Sequence, residues 1–363
     1  MSSTWGNNIK ISIFGESHSD AIGVSIDGLE PGFELNLDDI AFQMARRAPG
    51  NNEMSTSRHE KDIPEIISGF FNGKTTGTPL CAIIKNTNTR SQDYEKTKNL
   101  PRPGHADYTG FVKYNGFNDY RGGGHFSGRL TAPIVFAGAI CRQILEKNGI
   151  KIGAHIFQIA DVRDKQFDFT DIAEKTLNEL RCKALPFLDE TKEDAAKQRI
   201  LSAKNNLDSV GGVIECAVTG LYSGIGNPMF DSVESVLSHL LFSIPAVKGV
   251  EFGSGFSFAT MLGSEANDSF YYDNESVKTK TNNNGGINGG ITNGMPVVFR
   301  TVIKPTPSIA KKQETIDISN ERDAEIEICG RHDPCIVQRA IPVVEAVAAI
   351  AVYDLLKGAG ANA

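Results

Sequence analysis

The chain has 363 residues, 40% hydrophobic and 22% charged, which is enough apolar material for one large domain or two ordinary ones and excludes disorder or a coiled coil as a whole-chain reading. Lysine and arginine number 37 against 44 acidic residues, a formal charge of −7, so the surface as a whole repels nucleic acid and anionic membrane. The most apolar stretches, residues 132–141 and 340–356, are too short or carry Glu345 and Asp354, and neither reads as a bilayer span. Residues 1–10 lack the basic segment and apolar run of an export signal, so a soluble cytoplasmic protein is expected. Six cysteines (Cys81, Cys141, Cys182, Cys216, Cys329, Cys335) have no CxxC spacing and sit mostly among aliphatic residues. Free buried thiols are expected, with no zinc site and no disulfide framework.

Ile9, Ile11 and Ile13 alternate with Lys10 and Ser12, the period of a half-buried strand that runs into Gly15-Glu16-Ser17-His18 and leaves His18 on a loop at the strand end. Asp38 or Asp39 is expected to cap a helix through Ile40, Met44 and Arg47 that Pro49-Gly50 stops. Residues 51–62 are polar and read as a mobile segment. Strands are expected at 65–71 and 79–85, then a long irregular region over 86–129 whose mix of His, Arg, Gly and Tyr marks it as functional. Thr131 is expected to cap an almost wholly apolar helix closing at Asn148-Gly149, and such a helix must be buried on nearly every side. Residues 170–206 read as two charged, exposed helices. A strand follows at 212–220, then a helix from Asp231 to Leu241, a loop over 282–294 with five glycines and five asparagines, and a strand at 296–303. A last buried helix is expected over 342–356, with Pro342 in its first turn, Glu345 at the positive end of its dipole and Gly358 at its exit. Strands and helices do not alternate regularly, so the pattern favours α+β with sheets covering buried helices over a Rossmann or barrel arrangement, and residues 1–363 read as one domain with no internal boundary.

Although the chain is acidic overall, histidine and arginine fall together in glycine-rich loops: His18; Arg46 and Arg47; Arg102 and His105; Arg121 to Arg129 with Gly122-Gly123-Gly124 and Ser127; Arg331 and His332. Arginine forks bind phosphate and carboxylate bidentately, and glycine lets backbone amides approach an anion, so the expected ligand is a small polyanion. The glycine triplet matches neither a Walker loop nor a dinucleotide fingerprint, which argues against NTP hydrolysis and against an NADPH-dependent oxidoreductase. His59, His155 and His239 read as structural. His18 and His105 each follow a turn beside Glu16 or Asp107, where a carboxylate can orient an imidazole for proton transfer.

The motifs Phe14-Gly15-Glu16-Ser17-His18, Arg102-Pro103-Gly104-His105-Ala106-Asp107-Tyr108-Thr109, Asp119-Tyr120-Arg121-Gly122-Gly123-Gly124 and Gly330-Arg331-His332-Asp333-Pro334-Cys335 together resemble the chorismate synthase family. Arg90 to Tyr94, Ala246 to Glu251, Gly285 to Gly294 and Lys304-Pro305-Thr306 extend the resemblance, in order, from residue 5 to about residue 357. It implies a β-α-β sandwich, a homotetramer, and a lyase of aromatic amino-acid biosynthesis that releases phosphate from 5-enolpyruvylshikimate-3-phosphate to give chorismate, using reduced FMN without net redox change. It further implies that His18 protonates the departing phosphate, that His105 stabilises or protonates the reduced flavin, and that Asp333 helps flavin N5 take the substrate C6 proton. Arg47, Arg129 and Arg331 are the implied anion clamps. His125, Phe126, Ser127, Ala246, Gly289, Lys304, Thr306, Ser308 and Arg331 match FMN-binding positions. Departures from the usual pattern are Ser19, Ala48, Glu53, the His125-Phe126 pair and Pro245. Some family members reduce their flavin with NADPH; the positive charge missing at Ala48 and Glu53 predicts no such activity here and an external flavin reductase as partner. A noncatalytic flavin- and phosphate-binding homologue is the competing reading, and joint retention of His18, His105 and Asp333 argues against it.

Overall fold

In a computed structural model, which describes residues 3–50, 54, 60–87, 95, 97–328 and 332–360, the isoleucine alternation becomes a strand that buries Ile9 and Ile11 and leaves Lys10 exposed. It belongs to an antiparallel sheet built from β1 (Thr4–Trp5), β2 (Lys10–Gly15), β3 (Ala21–Asp27), β4 (Pro64–Ser68) and β5 (Leu80–Lys85), in the spatial order β1-β2-β3-β5-β4. A second antiparallel sheet contains β6 (Lys151–Ile159), β7 (Val162–Arg163), β8 (Gly212–Thr219), β9 (Val247–Phe252) and β10 (Val297–Ile303), in the order β9-β10-β8-β6-β7.

Between the sheets lie α1 (Leu37–Arg47), α3 (Thr131–Lys147), α6 (Val233–Leu241) and α7 (Val337–Gly358), while α2 (Asp107–Lys113), α4 (Glu174–Arg181) and α5 (Glu193–Asn205) lie outside this layer. Helix α3 packs on the first sheet and α7 on the second, and the two helices pack on each other. The result is the β-α-β sandwich of an α+β protein. Gly138 explains how close the helices come: a Cβ there would stand 2.3 Å from that of Ala346. Nearly every residue of α7 from Val337 to Leu356 is buried, so truncating one of its large aliphatics, such as Ile350→Ala, is expected to cost about 2–5 kcal/mol. The end of α7 also fixes the start of the chain, because Asp354 Oδ1 accepts backbone N–H bonds from Asn7 (3.1 Å), Asn8 (2.7 Å) and Ile9 (2.8 Å).

The outer face of the second sheet carries a row of alternating charge. Register places Glu251, Arg300, Glu215 and His155 side by side across four strands. Arg300 Nε donates to Glu215 Oε1 at 2.8 Å, and His155, fully buried, lies between Glu215 Oε2 (2.9 Å) and Asp164 Oδ2 (3.1 Å). His155 is structural, as expected. Burial alone would lower its pKa, but the hydrogen bonds to Asp164 and Glu215 raise it above the ordinary histidine value.

Several local expectations change. The cap of α1 is Asn36, whose side chain accepts from Asp39 N, while Asp39 pairs with Arg142. The region 86–129 holds a short helix, α2, which an apolar period does not announce. Thr131 is the first residue of α3 and its hydroxyl donates to Gly128 O, so it does not cap the helix. Helix α6 begins at Val233, two residues after the expected start at Asp231, and Ser232 caps it. The glycine-asparagine loop contains a two-residue hairpin, Ile287–Asn288 against Ile291–Thr292. Helix α7 begins five residues before Pro342, so the proline lies inside it, and Glu345 pairs with Arg46 and accepts from Ala154 N (3.1 Å) instead of facing the dipole end. Cys182 is exposed, while Cys141, Cys216 and Cys335 are buried. The segment 51–59, apart from Met54, and Cys329 lie outside the described residues.

Candidate active site

One cleft of about 710 Å3 opens where the loops after β2, α1, β5 and β10 meet the N-terminal turn of α7. The glycine triplet organises its head. Gly122, Gly123 and Gly124 all have positive φ (61°, 84° and 51°), which side-chain-bearing residues adopt at a penalty. They also allow close approach: a Cβ on Gly122 would lie 2.3 Å from the His18 ring, and one on Gly123 would lie 2.9 Å from the His105 ring. Consecutive glycines thus hold the two histidines of distant motifs against one loop.

His18 is buried beside Ser17, whose hydroxyl is 3.2 Å from His18 Nδ1; Ser17 and Gly122 line the cleft in front of it. His105 lines the cleft directly, and its Nδ1 is 2.7 Å from Asp107 Oδ1. Asp107 also accepts from Arg102 Nε (2.7 Å) and Arg102 N (3.0 Å). Burial alone would raise the Asp107 pKa, but the hydrogen bonds from Arg102 and His105 hold it well below the usual carboxylate range. The carboxylate therefore stays charged and orients the imidazole through Nδ1.

On the opposite wall stand Lys304, Thr306, Ser308, His332 and Asp333. Asp333, buried, is ion-paired with Arg339, and neither caps α7, which starts four residues later, at Val337. Burial, reinforced by Arg102 and His105 against the opposing pull of Asp333, pushes the His332 pKa down to about 4. Arg102 also donates to Ser308 Oγ (3.2 Å), tying the two walls together. Ala246 lines the cleft with a positive φ of 75°, a conformation that costs an alanine about 1–2 kcal/mol, and its carbonyl accepts from Lys304 N at 2.9 Å.

The cations of this cleft fall into two groups. Arg129 is held by Glu60 Oε2 (3.2 Å) and Asp62, and Arg47 is 3.3 Å from Asp62 Oδ2, with all four side chains buried. Burial lowers the Arg47 pKa to about 10, which still leaves it charged at neutral pH. Arg102 and Arg339 are paired with Asp107 and Asp333. Lys248 and Lys304 have no acidic partner among the described residues; Lys304 donates to Gly104 O, and burial together with Lys248 lowers its pKa. Nearby, the buried hydroxyl oxygen of Thr306 has no hydrogen-bond partner among the described residues.

Of the residues expected at the site, the cleft gathers Arg47, His105, His125, Phe126, Ser127, Arg129, Ala246, Lys304, Thr306, Ser308 and Asp333, with His18 directly behind Ser17. His125 is anchored through Nδ1 to Gly15 O at 2.8 Å, with Ser3 Oγ 3.0 Å from Nε2. Gly289 is exposed at the hairpin turn and does not line this cleft, and Arg331 lies outside the described residues. Arg46 and Arg121 are engaged by Glu345 and Asp119 away from the cleft. Ser17, Glu60, Asp62, Lys248 and Arg339 were not singled out by sequence. Ser17 and Lys248 lie inside quoted motifs; the others carry no local signal.

No helix among the described residues is long and apolar enough to cross a membrane, and no group of three or more His, Cys, Asp or Glu among them could hold a metal ion. A sequence model of the family described as chorismate synthase matches residues 9–356. The chain is 45% identical over 361 residues to the chorismate synthase of Dehalococcoides mccartyi (strain BAV1), covering 99% of this chain and 98% of that one. It is 45% identical over 352 residues to that of Thermococcus gammatolerans, covering 97% and 96%. A solved structure titled as the crystal structure of chorismate synthase superposes with a TM-score of 0.76 at 28% identity over 99% of this chain and 94% of that chain. Sequence match along almost the whole length and the shared sandwich agree: the chain belongs to the chorismate synthase family, the lyases that eliminate phosphate from 5-enolpyruvylshikimate-3-phosphate to form chorismate.

Proposed function

We propose that this elimination takes place in the 710 Å3 cleft, with His18, His105 and Asp333 as its proton-handling residues and reduced FMN as its cofactor. The observation that carries the assignment is the glycine triplet, which packs His18 and His105 against adjacent residues of one loop. FMN fits the opposite wall: among the described residues Lys248 and Lys304 lack acidic partners and the buried Thr306 hydroxyl has no partner of its own, a donor set suited to a phosphate. Lys304, Thr306, Ser308, Ser127 and Ala246 would hold the cofactor, with Phe126 offering an aromatic surface. When bound, reduced FMN supplies electron density to the allylic system and a base for the C6 proton, with no net redox change.

The chain's own residues do the rest. His18 donates a proton to the departing phosphate oxygen, and Ser17 Oγ, 3.2 Å from Nδ1, orients its ring. His105 is held by Asp107 through Nδ1 and acts at Nε2 beside the cofactor. Asp333, fixed by Arg339, accepts a proton at its carboxylate. Arg47 and Arg129 are held rigidly by Glu60 and Asp62, so they present preorganised N–H donors with little residual net charge. The alanine at position 48 supports reliance on a separate flavin reductase. Large exposed side chains such as Met229 (81%), Phe230 (88%) and Phe256 (82%) support assembly into the homotetramer that the family implies.

The test is anaerobic incubation with 5-enolpyruvylshikimate-3-phosphate and chemically reduced FMN, following chorismate, phosphate and flavin oxidation separately. Chorismate and phosphate are expected in equal amounts while the flavin stays reduced. Phosphate release that proceeds undiminished with oxidised FMN or without flavin would overturn the assignment.

A further inference from the structure

A second, smaller cavity of about 300 Å3 lies on the other side of the first turn of α7, between the C-terminal end of α1 and the loop that follows α4. Its charged lining residues are all cationic: Arg46, Arg181, Lys183 and Arg339. Their carboxylate partners, Glu345, Glu146, Glu190 and Asp333, stand outside the lining. Gln338 lines the cavity, is 8% exposed, and has both amide atoms buried without a hydrogen-bond partner among the described residues. A buried amide left in that state costs about 1–3 kcal/mol unless something completes it. The first turn of α7 beside it has no side-chain cap, since Ile336 at the N-cap offers no side-chain bond, and contains no acidic residue.

We propose that this cavity is an anion site distinct from the catalytic cleft, and that its ligand is a small aryl carboxylate. The carboxylate would be met by the arginine forks and the Gln338 amide. The aryl body would lie against Phe42, Ala45, Ala48, Pro186 and Ile341, which form the apolar part of the wall. A volume of about 300 Å3 suits a single ring with a short substituent and excludes a dinucleotide. Arg339 faces both cavities and pairs with Asp333, so occupancy is expected to draw Arg339 away from Asp333 and lower kcat at saturating substrate. That coupling rests on the role assigned to Asp333 above, whereas binding itself does not.

Calorimetric titration of the full chain with benzoate, in the presence of saturating substrate to fill the catalytic cleft, tests the site. Saturable binding is expected with a Kd below about 1 mM, weakened at least about tenfold in both Gln338→Leu and Arg181→Gln, and inorganic phosphate should bind much more weakly. Cys182 lines the same cavity and is exposed, so peptide-level mass spectrometry should show benzoate slowing its alkylation by iodoacetamide. Arg181 lies outside the catalytic cleft and the α7 core, so that variant reports on binding even where Gln338→Leu fails to fold. Absence of saturable binding up to about 10 mM, binding unchanged in Arg181→Gln, or phosphate binding as tightly as benzoate would each overturn the proposal.

Discussion

Two histidine-carboxylate clusters in this molecule use the same chemistry for opposite ends. In the cleft, His105 gives one ring nitrogen to Asp107 at 2.7 Å and makes no hydrogen bond through the other among the described residues, leaving Nε2 beside Gly123. On the second sheet, His155 gives both nitrogens to carboxylates, at 3.1 and 2.9 Å, and no surface of it reaches solvent. A carboxylate on one side of an imidazole orients it for proton transfer; carboxylates on both sides turn it into a cross-link. Distance does not separate the two cases, but the engagement of the second nitrogen does.

The sharpest way to break that comparison is to remove the histidines. His18→Ala and His105→Ala are each expected to lower kcat by roughly 10²- to 10⁴-fold, with melting temperature almost unchanged. His105→Ala should also disturb the spectrum of bound reduced flavin, which His18→Ala should leave nearly intact. Near-wild-type turnover in both would return these residues to structure. His155→Ala is expected to do the reverse, leaving turnover per folded molecule unchanged while costing about 3–5 kcal/mol of stability, because buried Asp164 loses its side-chain partner and Glu215 is left with Arg300 as its cation. Chemical denaturation of the variant beside the wild type measures it.

A pH titration of stability sharpens the contrast. The pKa of His155 is raised on folding, so its contribution is fully present below the unfolded value of about 6.5 and fades as pH rises through the folded value. His332 has the opposite sign. With a folded pKa of about 4 against an ordinary 6.5, it withdraws up to about 3 kcal/mol as pH falls between those values, since the unfolded chain takes up the proton first. His332→Gln should therefore flatten the acid limb of the melting curve, and His155→Gln should flatten the limb above the ordinary histidine value of about 6.5. Unchanged limbs in both variants would refute these assignments.

The smallest effect concerns Asp333. Asp333→Asn keeps the shape and a hydrogen bond to Arg339 but cannot accept a proton, so turnover should fall about tenfold or more, a barrier increase of about 1.4 kcal/mol, while FMN binding measured by fluorescence stays close to normal. Unchanged turnover would leave Asp333 with only its structural pairing to Arg339.

Local order was readable wherever a local pattern created it. The alternation at Ile9, Ile11 and Ile13 gives β2, and the continuous apolar runs give α3 and most of α7, because burial on every side leaves no other place for them. The loops bearing His18, His105 and Gly122 to Gly124 were legible as an anion site from their residue types alone. What escaped depends on partners far away in the chain. Nothing near Pro342 signals a helix that starts at Val337, since its first turn is stabilised by tertiary packing and not by a cap. Glu60 and Asp62 sit in a polar stretch that looks solvated, yet they are buried on Arg129, more than sixty residues away. Helix α2 contains Tyr, Thr, Gly and Phe within seven residues, a composition without helical period.

The position of α7 in the middle layer has a consequence for how the protein is made. Every strand of both sheets precedes residues 337–358 in the chain, so the apolar face of the second sheet stays uncovered until that helix has been synthesised. The backbone amides of Asn7, Asn8 and Ile9 likewise wait for Asp354, a carboxylate translated more than 340 residues later. Completion of the core therefore waits on this helix, and the nascent chain presents an open sandwich to chaperones until it is made.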